Sequence, residues 1–160
     1  MRFRGRDAES ELLLHQLVGA DLLVLFGKPG LGKTSLLNAR LFPLLSERDF
    51  LPLPIRFNQV DSLSPIQVFI AAIEQACTAN EIDYTLGDPS GLWEFFKTAV
   101  FWRGDRFQTP VLVLDQFEEI FTLQAEGFRR AAAGELGELS RNWRQNMLSA
   151  NELYEIPIWP

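Results

Sequence analysis

The sequence predicts an α/β domain built on a parallel sheet with helices packed on both sides. Residues 22–26 (LLVLF) and 111–114 (VLVL) are continuous apolar runs, as expected of strands buried on both faces. Amphipathic stretches separate the strand candidates. That alternation favours parallel pairing with helical crossovers.

Each element has its own local warrant. Residues 11–18 (ELLLHQLV) read as a short helix with Ser10 as its N-cap. A glycine-rich turn follows the first apolar run. From Thr34 to about Phe42, Leu36, Leu37 and Leu41 fall at helical spacing, and Pro43 is expected to end or kink that helix. Residues 53–57 form a second strand candidate, which Pro52 and Pro54 restrict to an edge position. Ser64 caps the next helix, with Pro65 in its first turn and Gln67 completing a capping box. Ile66, Phe69, Ile70, Ile73 and Cys77 then make one apolar stripe. Asp88-Pro89 is expected to start a helix with Leu92, Phe95, Phe96 and Ala99 inward. Beyond Asp115 the chain reads as helical to about residue 150, with Leu136, Leu139, Trp143 and Met147 in line.

Composition narrows the function classes. The chain has 160 residues, 47% apolar and 22% charged, with a formal charge of −6. Thirteen Phe and four Trp exclude a disordered chain. No apolar run approaches the roughly 18 residues of a membrane span. Acidic residues follow the N-terminal arginines at once, which argues against a signal peptide. The acidic balance argues against direct nucleic-acid binding. Cys77 is the single cysteine, so no intrachain disulfide and no cysteine-cluster metal site can form; a reducing cytoplasm fits. His15 reads as a surface or core residue, Cys77 as core, and the Phe/Trp cluster at 93–102 as packing, with an interface patch as the alternative.

One segment carries chemistry by itself. Gly27-Lys28-Pro29-Gly30-Leu31-Gly32-Lys33-Thr34 satisfies G-x-x-x-x-G-K-[ST] between a strand and a helix. Glycines let backbone N–H groups converge on phosphate, and the helix start adds partial positive charge. Lys33 is placed to reach the β- and γ-phosphates, and the Thr34 hydroxyl to ligate Mg²⁺, with Ser35 next in line. The expected architecture is therefore the three-layer αβα fold of P-loop NTPases. Lys28 also sits where partition-type ATPases place a lysine that touches phosphate across a dimer. Pro29 replaces the glycine that follows that lysine, so Lys28 reads instead as a solvated loop lysine.

The second chemical segment is Asp115-Gln116-Phe117-Glu118-Glu119, at the carboxyl end of an apolar strand. Ligands of open α/β sheets sit at such ends. Asp115 is the expected Mg²⁺ partner opposite Thr34, usually through water. Glu118, with Glu119 as the alternative, is the candidate to orient the attacking water. The Asn/Thr-Lys-x-Asp segment that reads guanine is missing, so ATP is the expected nucleotide.

Three segments together resemble the STAND class of signal-transducing P-loop ATPases: Phe3-Arg4-Gly5-Arg6-Asp7-x-Glu9, GKPGLGKTSLL (27–37) and VLVLDQFEEIFTL (111–123). The bacterial "novel STAND" group carries a similar D-Q-F-E-E segment. NACHT relatives share an acidic residue three positions after the metal aspartate, which points to Glu118. The resemblance implies a switch with ATP- and ADP-bound forms that differ in self-association, and slow hydrolysis. It also implies that Phe3, Gly5 and Arg6 approach the base or phosphates.

The resemblance further implies the strand order 5-1-4-3-2. After Leu123 only Tyr154 to Trp159 could supply another strand, and Pro157 suits a central strand poorly. The expectation is thus a leading segment at 1–18, an NTPase core at 19–126 and a helical segment at 127–160, with the fourth and fifth strands missing or partial. Regulatory or sensor regions are expected outside the chain, and the isolated chain is expected to turn over ATP weakly or not at all. The competing functional class is a non-catalytic nucleotide-binding or interaction fragment.

Overall fold

A computed structural model describes residues 7–20, 23, 32–57 and 62–153, and the side chains among them from residue 10 to 143. The chain runs α1 (Asp7–Val18), α2 (Lys33–Leu36), a π-helical turn (Leu37–Leu41), α3 (Phe42–Glu47) and β1 (Phe50–Ile55). Then come α4 (Pro65–Ala79), β2 (Asp83–Thr85), α5 (Leu92–Thr98), β3 (Val100–Arg103) and β4 (Arg106–Phe107). It closes with β5 (Thr109–Leu114), α6 (Glu119–Leu123) and α7 (Glu126–Leu153). Of the two expected apolar strands, 111–114 lies within β5. The other, 22–26, falls outside the described residues except for Leu23.

β1 and β5 pair in parallel, from Phe50↔Thr109 to Ile55↔Leu114. This is the neighbour relation of the second and third strands in the order the resemblance implies. Proline placement allows it. Thr109 N donates to Asp49 O at 2.8 Å and Asp115 N to Ile55 O at 3.3 Å. Odd-numbered residues of both strands therefore exchange the ladder bonds. Pro52, Pro54 and Pro110 turn their donor-less nitrogens away from the partner strand.

Alternation along β1 separates two layers. Leu51 and Leu53 are fully buried against Ile73 and Cys77 of α4, Phe95 of α5 and Phe101 of β3. Ile55 and Phe57 continue that face against Val68, Phe69, Leu92, Ile120 and Ala132. Phe50, of opposite parity, packs with Leu14, Leu41 and Leu45 from α1 and the helical run after Lys33. The half-buried side chains of Leu136 and Leu139 bring α7 onto the α4 side, and Trp143 is half-buried further along.

Several local expectations hold and others are corrected. Ser64 caps α4 as expected: its hydroxyl accepts from Gln67 N at 3.4 Å, and Gln67 Oε1 accepts from Ser64 N at 2.8 Å. Ser10 is not a cap; α1 begins at Asp7 and Ser10 lies buried inside it. Pro43 does not end its helix, which continues to Glu47. A proline ring clashes with the carbonyl four residues back, and the wide turn at Leu37–Leu41 immediately before it opens the spiral there. Asp88-Pro89 forms a turn rather than a helix start. Asp88 Oδ1 accepts from Ser90 N at 2.9 Å, a bond that holds the Asp88 carboxyl below its usual pKa. The N-terminus of α5 is closed instead by Glu135 of α7, whose Oε2 accepts from Leu92 N at 2.6 Å.

The crossover from β1 to β5 also carries a second sheet, ordered β2-β3-β4 and antiparallel, which the sequence patterns do not reveal. Its hairpin turns at Gly104-Asp105, where Gly104 takes φ 62°. The rings of Trp102 and Phe107 meet edge-on across it at 5.8 Å, and both are largely exposed. Within the aromatic cluster Phe95 and Phe101 are buried, as packing requires, whereas Trp102 is exposed. His15 lies on the exposed side of α1. Among the described residues no helix is long and apolar enough to cross a membrane.

Two features of this packing bear directly on stability. A Cβ at Gly87 would collide with Phe95 O and stand 2.8 Å from its ring. Gly87→Ala should therefore lower the unfolding free energy by about 1–3 kcal/mol in a urea titration. Burial pushes the Cys77 thiol up to about 11, with the Glu74 charge a smaller cause. A raised pKa stabilises the neutral-thiol fold fully below the ordinary value of 9.0, and that contribution is lost as pH rises towards 11. Melting temperature between pH 9 and 11 should fall more steeply in wild type than in Cys77→Ala.

Candidate functional site

The parallel register decides what meets at the carboxyl ends of the strands. Ile55 lies opposite Leu114, so the next residues, Arg56 and Asp115, leave the sheet side by side. Arg56 Nη2 donates to Asp115 Oδ2 at 2.6 Å. The Asp115 side chain is 10% exposed and that of Arg56 43%. Backbone bonds fix both flanks of Arg56: Ile55 O accepts from Asp115 N, and Phe57 O accepts from Gln124 Nε2 at 2.6 Å.

The third member comes from far along the chain. Gly32 adopts φ 73°, a left-handed backbone that glycine reaches at little cost, and the helical run opens directly after it at Lys33. Leu36 N donates to Gly32 O at 2.9 Å and closes the first turn. Thr34 is thereby held so that its hydroxyl lies 3.1 Å from Asp115 Oδ1 and 3.3 Å from Oδ2. The hydroxyl donates its one proton to this carboxylate. Lys33 and Thr34 are half-buried and Ser35 is exposed. The remaining expected contacts, Phe3, Gly5, Arg6, Gly27, Lys28, Pro29, Gly30 and Leu31, lie outside the described residues.

The acidic segment turns sharply after Asp115. Gln116 takes φ 57°, uncommon for a residue with a side chain, and its carbonyl accepts from Glu119 N at 2.9 Å. Glu118 sits exposed at the start of α6. Glu119 is half-buried, and its Oε2 is buried with no hydrogen-bond partner among the described residues. A buried carboxylate oxygen left unpaired is costly and calls for a donor.

Two hard oxygen donors, a hydroxyl and a carboxylate, thus stand within hydrogen-bond distance of each other. Mg²⁺ takes one or two protein oxygens of this kind and keeps several waters, so the donor set fits it. Sequence patterns point to Thr34 and Asp115 but not to Arg56. The usable signal for Arg56 is a cation placed directly after a strand that pairs with the acidic one.

The parallel pair, the G-K-T helix start and the aspartate that meets it are compatible with the fold of a P-loop NTPase. A family model described as Novel STAND NTPase 1 matches residues 1–149. The chain belongs to that family, the NTPase modules of STAND proteins. No curated protein and no solved structure matches it.

Proposed function

We propose that the domain binds Mg-ATP and hydrolyses it slowly, as the nucleotide switch of a larger signalling or defence ATPase. The observation that carries this reading is the contact between Thr34 and Asp115, which are 81 residues apart in sequence. An ordinary glycine-rich turn gives no reason for its threonine to meet the acidic end of another strand. Family membership supports nucleotide use in general.

In this reading the backbone from Gly27 to Ser35 cradles the phosphates, and Lys33 lies against the β- and γ-phosphates. Thr34 and Asp115 would hold the metal, Asp115 through a bridging water as such aspartates usually do. When bound, Mg²⁺ neutralises charge on the phosphate oxygens. Phe3, Gly5 and Arg6 approach the base, as the STAND resemblance implies. Glu118 and Glu119 are the two groups that could orient water. The offset of three from Asp115 favours Glu118, and the unpaired Oε2 favours Glu119. Nucleotide state then governs self-association in the cytoplasm, with regulatory regions supplied outside these residues.

Two measurements test this. Lys33→Ala should weaken ATP binding by about 100-fold in a fluorescent-nucleotide titration, the usual cost of removing one partner of a charged contact. Unchanged affinity would sink the assignment. Glu118→Gln and Glu119→Gln should each keep ATP binding, and whichever residue orients water should lose roughly 10²–10⁴-fold in turnover. Equal rates in wild type and both variants would leave a nucleotide-binding module without this hydrolytic step.

A further inference from the structure

We propose that Arg56 is a resident counter-cation for Asp115 that gives way to a divalent cation, so that this ion pair sets how much magnesium the site requires. The inference rests on the Mg-ATP reading above and deepens it.

The geometry argues for displacement rather than support. Asp115 is nearly buried, and a buried carboxylate needs a compensating charge. Thr34 contributes only a hydroxyl. Arg56 supplies the charge, and its 2.6 Å contact lies at the short end for a charge-assisted bond. Its guanidinium holds Oδ2, an oxygen that a metal ion would also seek. Two cations a few ångströms apart in a partly dry site repel strongly, so Arg56 and a divalent ion are competitors for this carboxylate.

The surroundings show which part of Arg56 is free to respond. Ile55 O and Phe57 O are both bonded, so the backbone on each side is held. The side chain is 43% exposed and has open solvent to turn into. Releasing Asp115 therefore requires a change of rotamer and no shift of β1.

The test is a magnesium titration of the whole chain at fixed β,γ-imido-ATP carrying an N-methylanthraniloyl group. Arg56→Gln should lower the magnesium concentration at half-saturation by about tenfold, a size typical of a partly exposed charge-assisted contact. Nucleotide affinity in excess EDTA should stay at the wild-type value. An unshifted or raised magnesium requirement overturns the proposal, as does a loss of affinity in EDTA, which would make Arg56 a phosphate ligand instead. A wild-type protein that binds no nucleotide would reject the Mg-ATP reading itself, whereas magnesium-dependent binding without the shift rejects this inference alone. Should Arg56→Gln fail to fold, ¹⁵N-labelled wild type decides between the same outcomes. The Arg56 Nε–H resonance should move as magnesium is added to the nucleotide complex; a resonance that stays in place overturns displacement.

Discussion

Everything at the candidate site depends on β1 and β5 running the same way in one register. Antiparallel pairing would put Arg56 and Asp115 at opposite ends of the pair, and a slip of one residue would reverse which side chains of β1 face α4. Parallel neighbours cannot be joined by a tight turn, so the chain must leave β1, cross a face of the sheet and return. That crossover carries α4, α5 and the antiparallel β2-β3-β4 sheet. The buried faces of β1 and α4 hold it down, with Leu53, Ile73, Cys77 and Phe101 in one cluster.

The return into β5 is fixed at the opposite end of the strands from Asp115. Gln108 is fully buried, and its side chain donates to Asp49 Oδ1 at 3.1 Å while its backbone N donates to Phe101 O at 2.9 Å. Asp49 also takes Arg106 at 2.7 Å, which holds the Asp49 carboxyl below its usual pKa. Asp49 itself stands at φ 61°, a conformation that costs a non-glycine residue energy and persists where its surroundings hold it. One end of the pair is thus a polar clamp joining the antiparallel sheet to the parallel strands. The other end gathers Thr34, Arg56 and Asp115.

What can be read from residues alone is local or strongly patterned. The Ser64-Pro65-Gln67 cap needs only neighbours in sequence, and it forms as expected. Asp115 is marked by the apolar run before it, and Thr34 by its motif. Features decided by distant partners are not legible. Ser10 resembles a cap until the helix is seen to begin earlier, and Asp88 cannot show that Glu135 closes α5. The short strands β2, β3 and β4 have too few residues for a period to emerge, although Gly104-Asp105 flanked by Trp102-Arg103 and Arg106-Phe107 is a usable hairpin signal. Arg56 gains meaning only from the register that sets Ile55 beside Leu114.

The three strand prolines give the parallel pair a direction of growth. Along the outer side of β1, Pro52 and Pro54 offer carbonyls but no donors. A strand recruited from a misfolded or swapped copy could not build a full ladder there. On the outer side of β5, Pro110 removes only the first donor, and the amides of Leu112 and Leu114 face that way by parity. A strand joining there would be gripped most firmly beside Asp115. Among the described residues, the side of the pair that resists aggregation and the side that accepts structure are therefore distinguished by residue type alone, while both strands end at the candidate site.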